Sequence, residues 1–234
     1  AIFHLARALE KLSQHRMPHR VPGSVRAFFE AAAQAMGRTQ VAQDLRAVLH
    51  PQECAAALAR LPVNPATRLM FAAMVRNTCA PTILEAGVKR NVIPSQATAQ
   101  LSGRPLPGVR REEFVAEVQE IAGDGVEYRM GDFRPGVEFE HRTPLFKSIA
   151  ASLRRFDPEG VLVPYMQTGG TDARFLVGRG LTMYGFIPMR HEPGLDFFDL
   201  CHGHDERVSV ANVEFAVQVL FDVVCRLNGV EPEI

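Results

Sequence analysis

The sequence predicts a chain of two textures, an α+β region followed by part of an α/β layer, and three observations carry that reading. Alanine-rich segments with apolar residues at helical period fill the first third. After Thr78 the period shortens, and short apolar runs are separated by Gly and Pro. From Thr143 onward apolar strand-like runs alternate with helical patterns and end in glycine-bearing loops, the texture of an α/β layer with active loops at its strand ends.

The 234 residues are 47% apolar, enough to bury a sizeable core in one large domain or two ordinary ones. Basic and acidic residues balance at 26 each, which argues against nucleic acid as a main partner, because phosphate binding needs surplus Lys and Arg. No apolar run approaches the roughly 20 residues of a membrane helix, so no membrane partner is expected. Cys54, Cys79, Cys201 and Cys225 are widely spaced and form no CxxC; they read as reduced thiols of an intracellular protein, hence a cytoplasmic expectation. Ile2, Leu5, Leu9 and Leu12 already share one helical face with no cap before them, and the expectation is a piece of a longer protein.

Residues 1–14 read as an amphipathic helix and residues 15–23 as a loop broken by Pro18 and Pro22. Ser24 reads as the N-cap of a helix through Met36, which Gly37 ends in the left-handed conformation. Helices over 39–49 and 52–61 each stop at a proline, and Asn64-Pro65 is a cap-then-N1 start for a helix through Arg76. His4, His15, His19 and His50 show no ligand spacing and read as surface groups. Residues 81–86 and 95–102 read as strands, 111–122 as a helix, and Val126, Tyr128 and Met130 as one side of a strand. After a linker over 131–141, Thr143-Pro144 repeats the cap-then-N1 start for a helix to Arg155. Residues 161–166 and 181–186 read as apolar strands, with a short helix following the loop at 168–174. Ser209 reads as the cap of the last helix, with Val213, Val217, Leu220 and Val224 along one stripe.

Three stretches carry candidate chemistry. In Cys201-His202-Gly203-His204-Asp205-Glu206-Arg207 the imidazole of His202 is a natural zinc ligand, although a lone His in a polar loop also reads as solvated. In Thr168-Gly169-Gly170-Thr171-Asp172-Ala173-Arg174 the paired glycines let backbone N–H groups approach a ligand, or serve a tight turn for its geometry alone. Asn91-Val92-Ile93-Pro94 with Arg104 offers an amide and a planar guanidinium that suit a carboxylate; a turn Asn and a sheet-surface Arg are the other reading.

The order Asn-Val-Ile-Pro, Arg104, Gly-Gly-Thr-Asp-Ala-Arg, Tyr184-Gly185-Phe186 and His-Gly-x-Asp-Glu-Arg resembles the zinc metallopeptidases and amidohydrolases typified by aminoacylase, carnosinase-type dipeptidases, glutamate carboxypeptidase and succinyl-diaminopimelate desuccinylase. The resemblance implies a zinc-exopeptidase-like α/β catalytic domain with an inserted α+β lid that often forms the dimer interface. On this basis residues 1–137 correspond to the lid (dimerisation) domain, with a helical insertion over about 20–76, and residues 138–234 to the closing segment of the catalytic domain. His202 matches the family's C-terminal zinc ligand, and His204 falls where the family varies. Asn91 and Arg104 match lid groups that grip the substrate's carboxylate end, and Gly169, Gly170, Thr171 and Arg174 match the loop lining the substrate site.

What the resemblance implies for activity is two-zinc hydrolysis of an amide bond next to a free carboxylate. The substrate would be an N-acyl amino acid, a dipeptide or a peptide C-terminus, and the protein a homodimer through the lid. The family's other metal ligands and its general-base Glu have no counterpart in the sequence. The expectation is therefore an enzyme parent and an inactive isolated chain. A non-catalytic dimerisation or ligand-binding module on the same scaffold is the alternative.

Overall fold

The structure, a computed structural model, describes residues 1–195, 200–201 and 203–230. Four short helices, α2 (Gly23–Ala35), α3 (Gln40–Ala47), α4 (Cys54–Arg60) and α5 (Pro65–Met74), form a block whose core closes on itself. Val25, Phe29, Val48 and Met74 are fully buried there, and the rings of Phe28, Phe29 and Phe71 meet edge to face. Local signals set the helix ends. Thr39 Oγ1 accepts from the Ala42 N–H, and Asn64 Oδ1 accepts from the Thr67 N–H at 2.7 Å with Pro65 at N1. Gly37, at φ +65°, follows α2 in the left-handed region.

Two expectations for this block need correction. Ser24 is not the cap of α2: Pro22 holds that position, and the Ser24 N–H donates to the Glu138 carboxylate, a partner 114 residues away. His19 is not a surface group but half-buried, with Nε2 3.0 Å from the Val48 carbonyl oxygen. The block enters and leaves through one neck, where His19 and Arg76 form an antiparallel bridge and the Arg20 N–H donates to the Val75 carbonyl at 2.9 Å.

Beyond the neck, β1 (Thr78–Ala86) and β2 (Ala97–Arg104) pair antiparallel, from Thr78 opposite Arg104 to Ala86 opposite Ala97, with a bulge between Pro81 and Ile83. Proline cannot donate to the ladder, so an irregularity beside it is expected. Helices α1 (Ile2–Gln14) and α6 (Arg111–Ala122) lie together, and α1 also meets both strands of the hairpin. Gly103 is required by close approach: a Cβ there would stand 2.5 Å from the Phe114 ring. Phe114, Val118, Leu106 and Val109 form the second core with Met17. A buried polar link ties it to the neck: Asn77 donates to Glu117 at 2.7 Å and accepts from the Leu106 N–H at 2.8 Å, and Arg20 pairs with Glu117. Residues 126–130 do not form a strand. Tyr128 packs against this core and donates to the Gly123 carbonyl at 2.6 Å, which fixes the segment through a side chain rather than a ladder.

The third core joins α7 (Pro144–Phe156) and α8 (Val210–Leu227), with Ile149 facing Phe215, Val219 and Val223. Thr143 and Ser209 cap them through side-chain oxygens, as their sequence signatures predict. Asp222 is fully buried between the two helices and accepts from Ser152 Oγ and Arg155 Nη1 at 2.6 Å each, and from Arg226. Burial by itself would raise this carboxyl, but the Ser152, Arg226 and Arg155 donors hold it below the usual carboxylate range. The Val213, Val217, Leu220 and Val224 stripe faces outward, and the opposite face of α8 meets α7. Residues 161–166 and 181–186, expected as strands, run without a ladder; among the described residues the β1–β2 hairpin is the one sheet. A strand of a parallel layer takes hydrogen bonds from neighbours alongside it, and no described segment supplies them.

Candidate functional site

The end of β2 and the segments around 131–141, 161–174 and 183–186 surround a cleft of about 600 Å³, with Ser24 and Ala73 of the helical block on its rim. β2 delivers Arg104, whose Nη1 donates to the Thr168 carbonyl at 3.1 Å. That bond draws the Gly169-Gly170 loop against the lip of the hairpin. A Cβ on Gly169 would meet Gln167 Nε2 at 3.4 Å and Arg104 Nη1 at 3.9 Å, and one on Gly170 would meet Arg174 Nη1 at 3.3 Å. Thr171 Oγ1 accepts from the Ala173 N–H at 3.2 Å and starts a single 3-10 turn, Asp172–Phe175, which carries Arg174 to 4.7 Å over the Phe175 ring. Arg104, Gly169, Gly170, Thr171 and Arg174 therefore line one cleft.

Asn91 is placed elsewhere. It sits in the exposed turn between β1 and β2, beyond the Ala86–Ala97 end of the hairpin, whereas Arg104 stands at the opposite end. Eight strand residues separate the two ends, roughly 25 Å at about 3.4 Å per residue. The two side chains cannot hold one carboxylate within a single copy. His202 lies outside the described residues. His204 is described and exposed.

Sequence reasoning missed Arg134. The Phe-Arg-Pro-Gly stretch at 133–136 reads as linker, yet Arg134 lines the cleft with its guanidinium 5.6 Å from the Phe175 centroid. It also missed the way Tyr184 braces the far wall: its hydroxyl lies 2.7 Å from Thr143 Oγ1 and donates to the Glu140 carbonyl. The helical block reaches the cleft through Tyr165, whose ring lies 5.7 Å from that of Phe28 and whose hydroxyl contacts Met70 Sδ at 2.9 Å. Burial pushes the Tyr165 hydroxyl above its ordinary value.

The cleft lining combines basic and apolar side chains. Arg104, Arg134 and Arg174 line it, and no carboxylate among the described residues lies within ion-pair distance of any of them. Glu138, also in the wall, is engaged by the Ser24 N–H. Ile149, Leu162, Met166 and Phe186 supply apolar surface. A lining of this kind suits an anionic ligand with an apolar arm. Among the described residues no group of three or more His, Cys, Asp or Glu side chains could hold a metal ion, fewer than the three or four ligands zinc requires. No helix among the described residues is long and apolar enough to cross a membrane.

Residues 1–128 match the family model described as "Peptidase dimerisation domain". Human "N-fatty-acyl-amino acid synthase/hydrolase PM20D1" is 30% identical over 166 residues, 69% of this chain and 32% of that protein. "Probable carboxypeptidase S-like 2" of Dictyostelium discoideum is 26% identical over 68% of this chain and 31% of its own length. "Aminoacylase-1" of Pongo abelii is 31% identical over 56% of this chain and 32% of its own length. The chain spans about a third of the length of these curated relatives. No solved structure matches it.

Proposed function

This chain belongs to the M20 peptidase dimerisation-domain family, and on that premise we propose that it is the lid and the closing catalytic segment of a co-catalytic zinc amidohydrolase or exopeptidase. Residues 1–137 are the lid, enlarged by the helical insertion over about 20–76, and residues 138–234 complete the catalytic domain. The observation that carries this reading is the meeting of Arg104 with the loop at 168–174, 64 residues apart in the chain, on one basic cleft. The relatives' printed names, a fatty-acyl-amino acid synthase/hydrolase, a carboxypeptidase and an aminoacylase, support an amide next to a free carboxylate as the substrate.

In this reading Arg104 and Arg174 hold the substrate carboxylate while Gly169, Gly170 and Thr171 let it approach the backbone. The apolar wall takes the acyl arm. Binding energy away from the reacting bond thereby fixes the scissile amide in place, which contributes as effective concentration. A zinc pair, when bound, supplies activated water. The described residues do not by themselves fit such a pair; His202 is the one ligand assigned to this chain, and the remaining ligands belong to a longer polypeptide of the relatives' size. The lid forms a homodimer, and Asn91, at the far end of the hairpin, would share a carboxylate with Arg104 only from a second copy.

Two measurements test this. The purified chain should bind no stoichiometric zinc and hydrolyse neither N-acyl amino acids nor dipeptides; zinc together with turnover would sink the division of labour. In the full-length protein Arg104→Ala should cut kcat/KM by roughly 10- to 100-fold, the worth of a charged hydrogen bond. An unchanged kcat/KM removes Arg104 from the site.

A further inference from the structure

We infer that Arg134 gives the cleft a second anion-binding pole, so that the favoured ligand is an amide bearing two carboxylates, such as the N-acyl derivative of an acidic amino acid. The identity of the bond cleaved rests on the amide-hydrolase reading above; the second pole rests on geometry. Arg134 comes from the segment between α6 and α7, and Arg174 from the 3-10 turn after the glycine loop, yet both guanidiniums lie over the ring of Phe175, at 5.6 and 4.7 Å from its centroid. Two cations on one ring repel each other, and the ring quadrupole that attracts each of them neutralises neither. On the other side of the paired glycines stands Arg104, so three guanidiniums edge the same cleft.

None of the three forms an ion pair with a carboxylate of the described residues. Glu138 is turned to the Ser24 N–H at the start of α2, and among the described residues no other carboxylate lines the cleft. His141, Tyr165 and Tyr184 also line the cleft. A single carboxylate held by Arg104 and Arg174 leaves the Arg134 fork unmatched. A second carboxylate on the same ligand gives it a planar, bidentate partner. A ligand with a neutral side chain still enters, because Arg134 is exposed and remains solvated without it. Selectivity therefore comes from added attraction for the dianion.

The test compares N-acetylglutamate with N-acetylglutamine, which differ by one charge at nearly equal shape, by titration calorimetry on the chain. The dianion should bind roughly tenfold tighter or better, as one extra charged hydrogen-bonded pair implies. Arg134→Gln should bring the ratio of the two affinities close to one, and Arg134→Lys should restore part of it. Equal affinities in the unaltered chain, a preference that survives Arg134→Gln, or binding of neither ligand overturns the inference. Turnover by the full-length protein separates the two claims. Hydrolysis of neither compound or of any N-acyl amino acid defeats the amide-hydrolase reading and leaves the binding ratio standing. Hydrolysis of both at equal kcat/KM, unaffected by Arg134→Gln, defeats the second pole alone.

Discussion

The α2–α5 block and the α7–α8 pair use the same start signals, yet only the block covers its own apolar surface. At Asn64-Pro65 and at Thr143-Pro144 a side-chain oxygen accepts the N–H three residues on and proline fills the first helical position. In the block four helices bring Val25, Phe29, Val48 and Met74 to zero exposure. In the pair, α8 turns Val219 fully into the contact with α7 while Val217, two residues away, stays 61% exposed. One neighbour covers one stripe of a helix, and the second stripe waits for another surface. Starting a helix is a local event; burying it is a property of its neighbours.

The sharpest way to break this comparison is to cavitate the block. Phe29→Ala should lower the stability of the chain by about 3–5 kcal/mol in urea denaturation, and a loss below about 1 kcal/mol would mean the block does not close on itself. Next is the charge held between α7 and α8. Asp222→Ala should cost about 2 kcal/mol, discounted because both arginines are partly exposed. The same residue sets a pH dependence. Its folded carboxyl titrates below the unfolded one, so its stabilisation is complete above about pH 4 and is lost as pH falls through the lower folded value. Helical circular dichroism followed from pH 6 to pH 2 should show the unaltered chain weakening over that window and Asp222→Asn less so. Equal acid sensitivity in both would remove Asp222 as the cause.

Smaller effects sharpen the comparison. Asn64→Ala and Thr143→Ala should each cost about 1 kcal/mol by chemical denaturation. Val217→Ser should change stability by less than about 0.5 kcal/mol. A loss approaching that of Phe29→Ala would show this face to be covered in solution.

Signals held within a few residues were legible in the sequence: the caps at Asn64, Thr143 and Ser209, the glycine at 37, and the helix over Arg111–Ala122. Signals needing a distant partner were not. The start of α2 is held by Glu138, which nothing near Ser24 announces. Residues 126–130, 161–166 and 181–186 have strand composition, but composition supplies no ladder. The site divides the same way. Thr168 to Arg174 and Arg104 stand out by residue type, whereas Arg134 enters the cleft because the chain between α6 and α7 bends back over Phe175, a path that period and spacing do not encode.

The neck at His19 and Arg76 bears on how this protein can change length. Backbone positions paired across an antiparallel bridge stand about 5 Å apart, so residue 19 can be spliced to residue 77 through a short link. The excised cassette would take with it the Arg20 partner of Glu117, the Ser24 grip on Glu138 and the Met70 contact to Tyr165. Met17, Phe114 and Val118 would keep their places behind the cut. A variant so shortened should still melt cooperatively while losing the Ser24 and Ala73 rim of the cleft. Trimming or lengthening that cassette is thus a route to resizing the Ser24 and Ala73 part of the cleft without rebuilding its arginines.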